Sequence, residues 1–172
     1  MDWYVIPLRF AGAALLIAAP SQLLAASPTT QAESTAVVLR PLSLIKKKDL
    51  DFGTLAAAAT AGTAVLDPLT GTVTTTGGVT VATGATSPAI FVGAGSKNVP
   101  FQIRLPTTAA TLTRVVGTET MTVSNWTTDG PTTRRVNANE GFEFNIGGTL
   151  AVGANQVPGT YVGTFNVTVH YP

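Results

Sequence analysis

The clearest pattern in the chain is alternation over its last stretch. Tyr161, Phe165, Val167, Val169 and Tyr171 share one parity with Gly163, while Val162, Thr164, Asn166, Thr168 and His170 take the other. Period two with β-branched and aromatic residues predicts a half-buried strand. The turn signal Val157-Pro158-Gly159 starts it, and no successor strand follows Tyr171 in this sequence. The same alternation places Phe101, Ile103 and Leu105 inward, with Gln102 and Arg104 outward. Phe142, Phe144 and Ile146 alternate with Glu143 and Asn145; Gly147-Gly148 is read as a bend, after which Leu150 and Val152 extend the pattern.

Weaker patterns fill the rest. Ala64–Asp67, Pro68–Gly71 and Thr72–Thr76 read as strand, turn, strand, and Gly77-Gly78 as a further turn before Val79–Ala82. Ala89–Val92, Leu112–Val116 and Thr120–Trp126 are predicted strands, the last with Met121 and Val123 on one face. Ala36–Ile45 is apolar and extended but interrupted by Pro41, which removes a ladder donor; it reads as an edge strand or as two short strands hinged there. Thr54–Thr60 is rich in alanine but too short, and without a polar face, to stand as a helix. Lys46-Lys47-Lys48 reads as a solvated turn whose field Asp49 and Asp51 partly cancel, and Thr127–Asn139 as a polar loop. Short strands punctuated by Gly and Pro, with no long stretch of helical period, predict an all-β sandwich; a closed barrel is the alternative.

Composition narrows the function classes. With Lys+Arg 10 against Asp+Glu 9, the 172-residue chain has no charge excess that suggests nucleic acid as a partner. The absence of cysteine removes disulfides, thiol nucleophiles and thiolate metal sites. At the N-terminus, Arg9 precedes the apolar run Phe10–Ala19, Pro20 and Ser21 break it, and Leu24-Ala25-Ala26 offers small residues for cleavage. Residues 1–26 therefore read as a secretory signal peptide, with a second possible cut after Ala32. A retained anchor is the competing reading, but the run falls short of the roughly 20 residues a bilayer requires. No other segment approaches that length, so no membrane span is expected after processing. Polar, Ser/Thr/Pro-containing residues 27–35 read as a flexible leader, and residues 36–172 as one domain.

Candidate chemistry is sparse, and no enzyme, cofactor or metal site is expected. His170 is the single histidine and lacks a triad or a second ligand. Asp49, Asp51, Asp67, Asp129, Glu140 and Glu143 are scattered, and nothing nominates an acid/base pair. Asp49 and Asp51 lack the loop spacing of a calcium site, and neither Gly-Gly pair has the helix and lysine of a phosphate loop. Arg134-Arg135 reads as part of a solvated loop, and the triplets at Asn125 and Asn166 match the short glycosylation motif.

Two segments carry a resemblance. Asp49-Leu-Asp-Phe-Gly-Thr-Leu55 resembles the Leu-Asn-Phe-Gly element after the first strand of spore-coat-protein-U-type domains and of archaic chaperone–usher pilins. Pro158-Gly-Thr-Tyr-Val-Gly-Thr-Phe-Asn-Val-Thr-Val-His-Tyr171 resembles the final strand of those pilins. With Phe144-Asn-Ile-Gly-Gly-Thr-Leu150, the set is more closely similar to an uncharacterised family of secreted bacterial domains. The likeness spans residues 36–172. It departs in lacking the cysteine pair usual in the pilin-like relatives; Ser43 stands about where the first would fall.

The resemblance implies an immunoglobulin-like β-sandwich lacking its last strand, in which a neighbour's N-terminal extension fills the gap by β-strand addition. On that reading Ala36, Val37, Val38, Leu39 and Arg40 are the candidate donor segment. The candidate acceptor-groove strand carries Tyr161, Phe165, Val167, Val169 and Tyr171. The implied partners are other copies of the chain, a periplasmic chaperone and an outer-membrane usher; the implied location is the periplasm in transit, then the surface of a Gram-negative bacterium. The expected function is a structural, fimbrial subunit of a surface fibre or coat. The alternative is a self-contained secreted binding module for carbohydrate or another surface polymer, with Trp126 as its one nameable aromatic contact. If the run around Pro41 serves wholly as first strand, the domain completes itself and is a monomer.

Overall fold

The computed structural model describes residues 30–172. The expected signal peptide and residues 27–29 of the expected leader lie outside the described residues. Residues 37–172 form one compact unit. Residues 30–36, the described part of the other, are exposed and carry no regular structure.

The described residues contain strands and no helix: β1 (Ser43–Lys48), β2 (Thr54–Leu66), β3 (Val73–Thr83), β4 (Ala89–Ala94), β5 (Pro100–Arg104), β6 (Ala110–Arg114), β7 (Thr120–Thr128), β8 (Thr133–Arg135), β9 (Gly141–Val152), β10 (Tyr161–Val162) and β11 (Thr168–His170). An 8-stranded antiparallel sheet runs β1-β4-β9-β7-β6-β10, with β2 added on β9 and β3 on β2. A 3-stranded sheet runs β11-β5-β8. The fold is all-β and consistent with a β-sandwich.

β9 is the strand around which this is built. Its first half pairs with β4, from Gly141↔Ala94 to Ile146↔Ala89, and its second half pairs with β2, from Gly148↔Leu66 to Val152↔Gly62. β7 takes the opposite flank, with Leu150↔Val123 and Ile146↔Thr128. Its even-numbered residues Phe142, Phe144, Ile146, Leu150 and Val152 are all buried, as strict alternation requires of one inward face. Phe142, Phe144 and Ile146 pack against Phe101 and Ile103 of β5 and against Val136; the Phe101 and Phe142 rings lie 4.2 Å apart. Leu150 and Val152 join Phe52, Ala64, Leu66, Val79 and Val123 in a second cluster.

Several weak patterns resolve differently from their sequence reading. Thr54–Thr60, alanine-rich and assigned to no element from sequence, is the first half of a long strand, β2. Gly77-Gly78 is not a turn: β3 runs through it, and residues 58–61 of β2 bulge opposite, between the pairs Ala57↔Val79 and Gly62↔Gly77. Gly77 has φ 65°, and a Cβ there would lie 2.3 Å from the Ala61 carbonyl, so the bulge needs glycine. Gly147-Gly148 does not bend β9 either; a Cβ on Gly147 would lie 2.2 Å from the Leu66 carbonyl, which makes it a close-approach position. Lys46–Lys48 belong to β1 rather than to a turn, and the polar loop contains the short β8.

At the far edge, the β6–β7 turn is tied by Arg114, whose Nε donates to Glu119 at 2.6 Å. That hydrogen bond is the main reason the Glu119 carboxyl sits below its usual range, with backbone N–H groups of Glu119 and Thr118 assisting; Arg114 is raised by the same bond. The Arg114 side chain also lies over Gly159, where a Cβ would come within 2.8 Å of its Cδ.

Two outcomes follow. Phe144→Ala removes a fully buried ring that faces both sheets, and should destabilise the fold by about 3–5 kcal/mol, read from the urea midpoint. Because the folded Glu119 value is depressed, its contribution is present above the unfolded value of about 4.3 and disappears as pH falls through the lower folded value. Glu119→Gln should therefore flatten the stability–pH curve in that acid window and leave its shape unchanged near neutrality, as measured by thermal melts across pH.

Candidate functional site

The stretch predicted as one terminal strand is two short strands in different sheets. From the Pro158-Gly159 turn, Thr160 accepts from the Val115 N–H at 2.9 Å, and Tyr161 and Val162 of β10 pair with Arg114 and Thr113 of β6. The Tyr161 ring is half-buried and joins neither core cluster; its hydroxyl donates to the Val157 carbonyl at 2.7 Å and accepts from Gln156. The chain then leaves the large sheet. It enters the small one at β11, where Thr168, Val169 and His170 pair with Arg104, Ile103 and Gln102.

Between the two, Gly163–Val167 lies outside every strand. Among the described residues it takes part in none of the backbone hydrogen bonds that lie outside the strand ladders. What holds it is one parity of apolar side chains. Phe165, Val167, Val169 and Tyr171 pack on the β9–β5 core, as the alternation predicted. Phe165 is the pivot: its ring lies 4.4 Å from Trp126 and edge-on to Phe91 at 6.4 Å. Phe91 in turn stacks on the buried Phe144 at 5.5 Å.

Open space lies on both sides of this stretch. On one side a groove of about 330 Å³ separates it from β1, with Leu44, Leu50, Phe91, Phe165 and Val167 as apolar lining and Lys46 and Asp49, an ion pair, at its polar end. On the other, a cavity of about 340 Å³ is lined by residues 104–110 together with Thr164, Asn166 and Thr168. Among the described residues β1 pairs with β4 alone, so no described strand lies on the side of β1 away from β4. The groove thus runs between two stretches of backbone with unused pairing capacity, over an apolar floor. An exposed edge of this kind presents backbone N–H and C=O groups with which an added strand can pair.

The other predicted segment stands apart from this groove. Val37 and Val38 are 85% and 94% exposed, Leu39 is on the exposed side, and Ala36 is exposed. Arg40 is fastened: its N–H donates to Ser96 Oγ at 2.7 Å, its carbonyl accepts from the Tyr171 hydroxyl at 2.8 Å, and its guanidinium pairs with Glu140. The Ser96 N–H donates to the same Tyr171 hydroxyl at 2.7 Å. Pro41 and Leu42 lead into β1, so of the two stretches flanking Pro41 only the one after it contains a strand.

Alternation found Phe165, Val167, Val169 and Tyr171 as inward residues, but Tyr161, on the same parity, stands outside both core clusters and outside the groove lining. It missed the fastening of Arg40, because Arg40, Ser96, Glu140 and Tyr171 lie far apart in sequence and only the sheet register brings them together. It also missed that the Trp126 ring is half-buried against Phe165, its Nε1 donating to the Thr108 carbonyl at 3.2 Å. Among the described residues no cluster of three His, Asp or Glu stands ready for a metal, and no helix is long and apolar enough to cross a membrane. His170 is half-buried in β11 opposite Gln102.

No curated protein and no solved structure matches the chain. One family model does, the Domain of unknown function (DUF4402), over residues 42–171, which span β1 through Tyr171 and so both walls of the groove. The chain belongs to that DUF4402 family.

Proposed function

We propose that this chain is an exported structural subunit of a bacterial surface fibre or coat, assembled by donor-strand exchange between copies. The observation that carries the reading is the apolar groove between the unpaired side of β1 and the unpaired stretch Gly163–Val167. An incoming extended segment finds backbone donors and acceptors on its flanks and apolar side chains beneath it, which is the geometry of β-strand addition. The donor is Ala36–Arg40 of a neighbour. Strand alternation points Val37 and Leu39 to one face and Ala36 and Val38 to the other, so one such pair enters the groove. Burial of Val37 and Leu39 supplies about 3–6 kcal/mol, to which the new ladder hydrogen bonds add. Ordering of the free segment subtracts from that sum.

The same exposed groove explains the partners in this reading. A subunit with an unfilled apolar edge self-associates indiscriminately. A periplasmic chaperone that occupies the edge until an outer-membrane usher exchanges it for the next subunit's arm answers that hazard. Export by the N-terminal signal and display on the surface of a Gram-negative cell follow from the same scheme.

Deletion of residues 27–40 should abolish polymers while leaving a folded domain, with negative-stain microscopy of the exported protein and near-UV circular dichroism as the two readouts. Polymers of unchanged length and number from the deleted chain would overturn the reading.

A further inference from the structure

Two occupants compete for the groove: the arm of a neighbour and the arm of the same molecule. We infer that the fastening of Arg40 by Tyr171 and Ser96, with Pro41, holds each molecule's own Val37–Leu39 off its own groove and so reserves that groove for a second copy. The inference rests on the strand-exchange reading and adds what decides between self-filling and exchange.

Tyr171 sits past the Ser43 end of β1, its hydroxyl against Gly95, where a Cβ would lie 2.7 Å from it. Arg40 is fastened there by both of its backbone groups, beyond the end of the groove, whose wall on this side is Leu44 and Lys46 of β1 with Asp49 and Leu50 after it. Only Pro41 and Leu42 separate Arg40 from β1. For its own arm to enter the groove, the chain must reverse over those residues and run back beside β1 as a hairpin. Tight hairpin turns call for positive φ, which Pro41 does not adopt, and a residue preceding proline is held extended. Reversal also detaches the Arg40 N–H and carbonyl from Ser96 and Tyr171. With these in place, Val37 and Val38 project into solvent, the state a donor segment requires.

Tyr171 is therefore a positioning residue with two separable parts. Its ring packs on the core, and its hydroxyl, accepting from Ser96 and donating to Arg40, sets the direction of the arm. Tyr171→Phe keeps the first part and removes the second. In the full exported chain this variant should raise the monomer-to-polymer ratio roughly 5–30-fold, the range for one to two lost hydrogen bonds, in analytical ultracentrifugation. In the isolated monomers, the amides of residues 37–39 should exchange freely in the wild type and become protected in Tyr171→Phe. Ser96→Ala, which removes the Oγ acceptor and leaves the tyrosine untouched, should shift both readouts in the same direction by less. Protected arm amides in the wild-type monomer would overturn the inference. So would Tyr171→Phe and Ser96→Ala chains with the wild-type ratio and freely exchanging arms. A wild type that forms no polymer defeats the strand-exchange reading instead, and the amide comparison among the monomers then decides the role of the fastening alone.

Discussion

The obligation of every buried backbone N–H and C=O to find a partner shapes this molecule from the middle outward. β9 meets it on both flanks, with β4 and β2 sharing one side and β7 on the other, and its even-numbered residues form the inward face of both core clusters. Each step away from β9 leaves pairing less complete. β4 is covered by β1, but among the described residues no strand lies beyond β1. β7 is covered by β6, and β6 by only the two residues of β10. The chain then crosses to the small sheet, and in crossing leaves Gly163–Val167 unpaired. The groove is where the two incomplete ends of this series face each other.

What holds Gly163–Val167 without a ladder is aromatic packing. Phe144 is anchored on β9, Phe91 stacks on it, Phe165 meets Phe91 edge-on, and Trp126 closes over Phe165. Such pairs contribute about 0.5–1.5 kcal/mol each beyond area burial. A stretch fixed by its side chains while its backbone stays unpaired can receive a strand without first giving one up. This separates an acceptor wall from an ordinary interior strand, and it gives Trp126 a structural occupation.

The parts of this arrangement that were legible in the sequence are those where alternation is strong. Phe101 and Ile103, Phe142 to Val152, and Phe165 to Tyr171 announce their inward face by period two, because each pairs one buried face with one solvated face. Thr54–Thr60 hid the first half of β2 because alanine and threonine mark neither face, whereas the strands read at Ala64–Asp67, Thr72–Thr76 and Val79–Ala82 overlap the rest of β2 and β3. The glycine pairs misled for a physical reason: glycine serves both where a chain turns and where a neighbouring backbone comes too close for a Cβ, and Gly77 and Gly147 are in the second situation. The break at Gly163 was invisible for a different reason. The inward parity continues unbroken from Phe165 to Tyr171, so the side-chain pattern stays regular while the backbone changes sheets.

The lysines of β1 bear on which strands the groove's open edge admits. Lys46, Lys47 and Lys48 are exposed, with Lys46 paired to Asp49 and Lys47 to Glu143. Lysines on a free edge discourage pairing of two like edges, since a second β1 would bring three more positive charges alongside. The proposed donor brings one cation rather than three: Ala36–Leu39 are uncharged, Glu33 upstream is a carboxylate, and Arg40 is paired with Glu140. Charge thus separates the two associations that the bare edge would otherwise favour alike, repelling edge against edge while tolerating arm against edge. Discrimination of this kind works by raising the free energy of the wrong pair, and it needs no contact specific to the right one.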